Sequence, residues 1–215
     1  MPDKLAGFIE HTLLKPGSTE QDVRRFCREA IDHSFYAVCI NPSWAKTALS
    51  ELKGSAVKIC VVVGFPLGTA TTAVKAYEAA DAVENGAAEI DMVMHSGALK
   101  SGNDQYVVED IAAVVKAVNE KPVKVIIETG LLSEEEKVLA CRLAEKGGAH
   151  FVKNSTGFGP GQATPADIKL MRETVGKRLG VKASAGIRTR AAAEELIRAG
   201  ANRIGTSAGV DIIME

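Results

Sequence analysis

The sequence predicts a single (β/α)8 barrel spanning residues 1–215. Three observations carry that prediction. Eight short apolar runs, most of them rich in Val and Ile, recur along the chain. They read as parallel strands buried on both faces. Segments with helical start and stop signals lie between them, and no two strands follow each other directly. The first run leads into Lys15-Pro16-Gly17, not the G-x-G-x-x-G turn that opens many doubly wound sheets.

The first run, Phe8 to Leu14, is the weakest, because Glu10 and His11 interrupt it. Thr19 and Asp22 stand at capping-box spacing and open a helix that reaches Ser34. Ala37 to Ile40 is the second strand, and Trp44 is placed in core packing on the helix that follows. Val57 to Phe65 is the third, ending in Gly64-Phe65-Pro66-Leu67-Gly68 at the barrel mouth. An Ala-rich helix from Ala70 to Asn85 stops at Gly86. Ile90 to Met94 is the fourth strand, and a helix from Asn103 to Asn119 ends before Pro122. Val123 to Ile127 is the fifth. Ser133-x-x-Glu136 is a capping box whose helix ends at Gly147-Gly148. His150 to Lys153 is the sixth strand, followed by Thr164-Pro165, an N-cap with Pro at the first helical position. Gly180 to Lys182, the helix from Thr189 to Ala199, and Arg203 to Gly205 complete the set.

Composition narrows the function. A net charge of −1 points to neither nucleic acid nor an anionic membrane as partner. Cys27, Cys39, Cys60 and Cys141 form no Cys-x-x-Cys pair and read as reduced thiols of a cytoplasmic protein. Cys39 ends an apolar run, where core packing and a place at a cavity wall both fit. No signal peptide and no membrane-length apolar run is evident. The four histidines, His11, His33, His95 and His150, have no metal-ligand spacing, so no metal or other cofactor is expected.

Chemistry is expected where strands end. Lys153 and Lys182 each close an apolar run, whereas Lys58 and Lys124 precede theirs and read as strand beginnings. On neighbouring strands about 4.8 Å apart the first two ammonium groups could approach closely. At about 4 Å and an effective dielectric of about 20 they repel by about 4 kcal/mol. That is about three pKa units, enough to bring one amine near neutrality and make it a nucleophile toward carbonyls. The alternative is that both lysines snorkel to solvent at the rim. Asp91 lies inside an apolar strand and shares a face with Glu89, Val93 and His95 by parity. A structural ion pair and a proton-transfer role fit it equally. Glu128 ends the fifth strand, where positioning a lysine and a structural salt bridge are both open. Ala183-Ser184-Ala185-Gly186 and Gly205-Thr206-Ser207-Ala208-Gly209 each join a strand to a helical stretch. Small residues there suit backbone contacts to phosphate, at the two loops that barrels often use for it.

Taken together, Glu10-His11-Thr12-Leu13-Leu14-Lys15-Pro16, Gly64 to Gly68, Glu89-Ile90-Asp91-Met92-Val93, Lys124 to Thr129, Phe151-Val152-Lys153, Ser155-Thr156-Gly157-Phe158 and Val181-Lys182-Ala183-Ser184 resemble the deoxyribose-phosphate aldolase family over nearly the whole chain. The resemblance implies a class I, metal-free aldolase that cleaves 2-deoxy-D-ribose 5-phosphate to acetaldehyde and D-glyceraldehyde 3-phosphate. It implies a Schiff base on Lys153, with proton transfer by Asp91 and Lys182. Spacing alone does not choose between the two lysines. The expected phosphate set is Gly157, Ser184, Ala185, Gly186, Gly205, Thr206 and Ser207. Glu10, Thr12, Cys39, His95, Glu128 and Asn154 are the further residues expected around the site. A homo-oligomer, dimer or tetramer, is also implied. Four positions depart from the family pattern: Glu10 for Asp, His95 for Asn, Asn154 for Thr, and Ala185 for the first of two glycines. The last bears on phosphate binding, since a Cβ restricts the backbone.

Overall fold

The computed structural model describes residues 4–215; residues 1–3 of the expected domain lie outside the described residues. Eight parallel strands close into a barrel in chain order: β1 (Ile9–Leu13), β2 (Ala37–Ile40), β3 (Lys58–Val63), β4 (Glu89–Val93), β5 (Val123–Ile126), β6 (Phe151–Lys153), β7 (Gly180–Ser184) and β8 (Arg203–Thr206). Closure is made by β8 on β1, with His11 opposite Thr206. All eight predicted strands are present. The third stops at Val63, short of Phe65, because Gly64 turns with φ +62° and its N–H donates to Glu78 at 2.7 Å.

The helices are α1 (Glu20–Asp32), α2 (Ala45–Glu51), α3 (Thr72–Glu84), α4 (Ser96–Lys100), α5 (Asp104–Ala117), α6 (Glu134–Lys146), α7 (Pro165–Val175), α8 (Arg190–Arg198) and α9 (Gly209–Met214). Thr19 and Asp22 satisfy each other's backbone N–H groups at the start of α1, and Ser133 and Glu136 do the same for α6. Thr164 accepts from Asp167 N ahead of Pro165 in α7. The helix that the sequence did not reveal, α4, is short, as are α2 and α9, which the sequence indicates after Trp44 and after the β8 loop without bounds. Neither α2 nor α9 has a side-chain cap, and α4 is capped by His95, which no cap pattern signals. Among the described residues no helix is long and apolar enough to cross a membrane.

The main apolar core lies between sheet and helices, where Ile9, Val38, Val61, Met92, Val125 and Val152 are buried. Alternation along each strand sends the other set inward. Barrel interiors are usually filled by branched apolar side chains. Here the lumen instead holds Glu10, Glu89, Asp91, Lys124, Lys153 and Lys182, all buried. The interruption in β1 is thereby explained. Glu10 faces this polar lumen, while His11 stacks on Phe26 at a 4.2 Å centroid distance and meets Glu29 at 2.7 Å. Burial holds His11 below its ordinary pKa despite Glu29.

Candidate active site

Lys153 ends β6 and Lys182 stands opposite it on β7. Lys182 does not end its strand: β7 runs on to Ser184, which sinks the lysine into the lumen at 0 % exposure. Neither lysine snorkels to the rim, since Lys153 is 2 % exposed. Asp91 lies between them, its Oδ2 2.8 Å from Lys153 Nζ and 2.7 Å from Lys182 Nζ. Lys182 also donates to Glu10, carried across the closed barrel from β1.

A third lysine, which the sequence placed at a strand beginning, completes the set. Lys124 stands opposite Asp91 in the β4–β5 register and so points the same way. Its Nζ reaches Asp91 Oδ1 at 2.9 Å, Glu89 Oε2 at 2.8 Å and Glu10 Oε2 at 3.5 Å. Glu89 in turn accepts from Tyr36, whose hydroxyl lies 2.9 Å from the half-exposed Lys58. Among the described residues this lumen cluster counts three ammonium groups against three carboxylates.

That balance reverses the like-charge argument made from spacing. Burial opposes the charge on Lys182, but Asp91 and Glu10 outweigh it and hold the ammonium well above the ordinary lysine range. Burial also opposes Lys124, yet Asp91, Cys60, Glu10 and Glu89 raise it well above that range. Burial would lift Asp91, but Lys124, Lys153 and Lys182 together hold it well below the usual carboxylate range. Lys153 differs from the other two lysines in having one carboxylate oxygen as partner, shared with Lys182.

Above the lysines opens a cavity of about 920 Å3. Lys153 reaches its wall; Lys124 and Lys182 do not. Thr12 and the whole expected phosphate set, Gly157, Ser184, Ala185, Gly186, Gly205, Thr206 and Ser207, line it. So do Lys15, which stands in the Glu10–Pro16 motif without an assigned role, and Arg188, which no motif marks. Gly205 is required by close approach, since a Cβ there would lie 3.0 Å from Lys182 Cε and 3.1 Å from Ser184 Cβ. Ala185 takes φ +80°, so the substituted residue keeps a glycine-like conformation in spite of its Cβ. The loop after β7 does not run straight into its helix, as α8 starts only at Arg190.

The remaining candidates divide. Asn154 is buried beside Lys153; its Oδ1 accepts from Ser184 N at 2.7 Å and its Nδ2 has no partner. Cys39 lies below the cavity, its Sγ 3.9 Å from Asp91 Oδ2. The hydrogen bond with Cys60, with Lys182 and Lys153 nearby, holds its thiol below the ordinary value. Burial, Cys39 and Asp91 push Cys60 well above it. Two expectations are corrected. Glu128 positions no lysine: it accepts from the backbone N–H of Thr156 at 3.2 Å and from the Thr156 hydroxyl, tying down the loop after β6. His95 does not line the cavity: its Nδ1 accepts from Ala98 N at 3.1 Å and its ring meets Tyr106 edge-on. Parity extends only as far as the strand, and β4 ends at Val93.

A buried amine cluster in the lumen, one amine of which opens into a cavity walled by small-residue loops at the C-terminal ends of the strands, is the layout of a barrel enzyme. Comparison with known proteins carries this further. Residues 9–214 match the DeoC/LacD family aldolase model, and the chain belongs to that family. A curated deoxyribose-phosphate aldolase of Clostridium botulinum (strain Kyoto / Type A2) is 58% identical over 98% of this chain and 99% of its own length. One from Geobacillus sp. (strain WCH70) is 55% identical over 99% and 96%. Among solved structures, QR15, an aldolase, superposes with a TM-score of 0.95 at 39% identity, covering 98% of this chain and 95% of that one. A tetrameric deoxyribose phosphate aldolase from Aeropyrum pernix gives 0.92 at 35% identity, covering 100% and 91%.

Proposed function

We propose that this chain is a class I aldolase that reversibly cleaves 2-deoxy-D-ribose 5-phosphate to acetaldehyde and D-glyceraldehyde 3-phosphate, with Lys153 as the Schiff-base residue. The observation that carries the choice of lysine is access combined with charge. Among the three lumen lysines, Lys153 is the one that lines the cavity and has the fewest carboxylate partners. It is the amine that a carbonyl entering the cavity can reach.

In this reading the free amine of Lys153 adds to C1 of the open-chain aldehyde, and loss of water gives an iminium. Asp91 and Lys182, acting through water, take the C3 hydroxyl proton. The C2–C3 bonding pair flows toward the iminium nitrogen, glyceraldehyde 3-phosphate leaves, and an enamine remains. The relay returns its proton to C2, and water hydrolyses the iminium to acetaldehyde and Lys153. The water lost in imine formation is regained in hydrolysis. The iminium serves as the electron sink, so the reading requires no metal. Lys182, held charged by Asp91 and Glu10, keeps a proton next to the Asp91 carboxylate that the relay uses. Backbone groups of the loops after β7 and β8, with Lys15 and Arg188 at the cavity, would hold the phosphate.

Residues 1–215 act as one domain in this reading, in the cytoplasm and as a homo-oligomer. The tetrameric state of the Aeropyrum pernix relative supports the last point.

The test is borohydride trapping. The protein is incubated with acetaldehyde and reduced, and ethylated lysine is located by mass spectrometry. Stoichiometric label on Lys153, absent in Lys153→Ala together with turnover, is the expected result. Label on Lys182 instead, or only scattered surface label, would overturn the assignment.

A further inference from the structure

Imine chemistry leaves two lumen thiols without a task. Cys39 and Cys60 are register partners on β2 and β3, and both face Asp91. Cys60 Sγ lies 3.0 Å from Oδ1 and Cys39 Sγ 3.9 Å from Oδ2. Glu10 reaches the same place from β1. One of its oxygens serves Lys182 and Lys124, while Oε1 is buried with no hydrogen-bond partner. One ligand atom from each of the four residues falls within 4.8 Å of all the others, and each residue is 0% exposed.

We propose that Cys39, Cys60, Asp91 and Glu10 form a binding site for one thiophilic divalent cation of the zinc and cadmium kind, and that occupation of this site arrests the aldolase. The arrest rests on the roles given above to Lys153 and Asp91; the binding does not.

Lys124 Nζ lies 3.2 Å from Cys60 Sγ and 2.9 Å from Asp91 Oδ1, so it has to swing off both donors as the cation enters; the donor set and the charge count then suit the ion. Tetrahedral bonds of about 2.3 Å to sulfur and about 2.1 Å to oxygen put ligand atoms roughly 3.4–3.8 Å apart. The four donors therefore need to draw in by about 1 Å, within reach of side-chain torsions. Each thiol gives up its proton on binding. Two thiols and one M2+ become two metal-bound thiolates and two released protons. The lumen's net charge is then unchanged, and the ammonium groups face no added field at long range. The orphaned Glu10 oxygen gains a partner, which offsets part of its burial cost. Hard cations such as Mg2+ prefer all-oxygen sets and are not matched by the two sulfurs. Binding turns Asp91 from the ammonium groups of Lys153 and Lys182 toward the metal, which removes the shared oxygen of the proton relay.

The experiment titrates the reduced full-length protein with Cd2+, reading three signals: the ultraviolet thiolate-to-cadmium charge-transfer band, proton release, and bound stoichiometry by native mass spectrometry. The other cysteines, Cys27 and Cys141, sit singly in α1 and α6 and provide no second pair. One ion per chain, a two-thiolate band and two protons released are expected. Cys60→Ser, or Cys60→Ala where serine impairs folding, halves the band and weakens binding by about 100-fold or more. Turnover falls in proportion to the bound ion and returns with chelator. No thiolate band at one equivalent, or a band and affinity unchanged without Cys60, overturns the site. A two-thiolate band with full turnover leaves the site standing and overturns the arrest.

Discussion

Replacing Lys124 by Met tests whether charge balance holds the lumen together. Its Nζ is within 3.5 Å of oxygens on Glu10, Glu89 and Asp91, all of them nearly or fully inaccessible to solvent. Methionine fills similar volume but leaves two ammonium groups against three carboxylates. An uncompensated buried charge of this kind costs about 3–5 kcal/mol. For a chain of this size that lowers the melting temperature by about 6–20 °C. The assay is thermal unfolding of three proteins: wild type, Lys124→Met, and Lys124→Met with Glu89→Gln. The second change removes the surplus charge while keeping an acceptor for Tyr36, so the double variant should regain about 1–3 kcal/mol over the single one. Activity gives an independent reading. Without Lys124, Asp91 loses one of the three cations holding its pKa down, and the acid limb of the kcat profile moves to higher pH. A double variant that melts no higher than the single variant would refute the charge-balance argument.

Other expectations follow from the same geometry. The stability difference between wild type and Asp91→Asn, from urea midpoints, should be constant between about pH 5 and pH 7, below the range where Cys39 and Cys60, both coupled to Asp91, come into play. Asp91 is depressed in the fold, so its contribution is complete above its ordinary value and is lost as pH falls through the lower folded one. Lys124 and Lys182 are raised, so theirs is complete below the ordinary lysine value and is lost only as pH rises past it. A sloping difference inside the window would contradict those directions. Ala185→Gly relieves a left-handed Cβ and should gain about 0.5–1 kcal/mol after the glycine entropy cost, with an equal or lower KM for a phosphorylated substrate; a loss of stability would show that the Cβ is accommodated without strain. Thr156→Val removes the hydroxyl that donates to Glu128 and accepts from Phe158 N and Gly159 N. It should cost about 1–3 kcal/mol and raise KM more than it lowers kcat, which steady-state kinetics would reveal.

The barrel is legible because most strands are compact apolar runs, β1 with its Glu10 and His11 being the weakest, and most long helices carry a cap written in side chains. Thr19, Ser133 and Thr164 each do in the structure what their spacing says. The phosphate loops were legible as small residues after the last two strands. Lys124 was missed because position along the strand was taken as the guide, when the decisive quantity is register. Its signal was available in principle: Glu89 and Asp91 face one way on β4, and the lysine on the next strand has to match them. Like-charge repulsion between Lys153 and Lys182 was argued from two residues, whereas the lumen contains six charges. His95 was misplaced because strand parity was carried past the end of the strand into a helix cap. The cations at the mouth, Lys15 and Arg188, stand on loops whose course no local pattern fixes.

Barrel closure also has a consequence for synthesis. Glu10 meets Lys182 only because β8 pairs with β1, so the amine cluster joins the first strand of the barrel to its last two. A ribosome-bound chain that has exposed β1 through β6 already displays Lys153, yet lacks Lys182 and the loops after β7 and β8. In the proposed mechanism such a nascent chain has neither a complete relay nor a phosphate cradle, so termination before β8 is expected to yield an inactive product, not a slower enzyme. Lys153 acquires these partners only once β7 and β8 have been made and β8 has closed on β1.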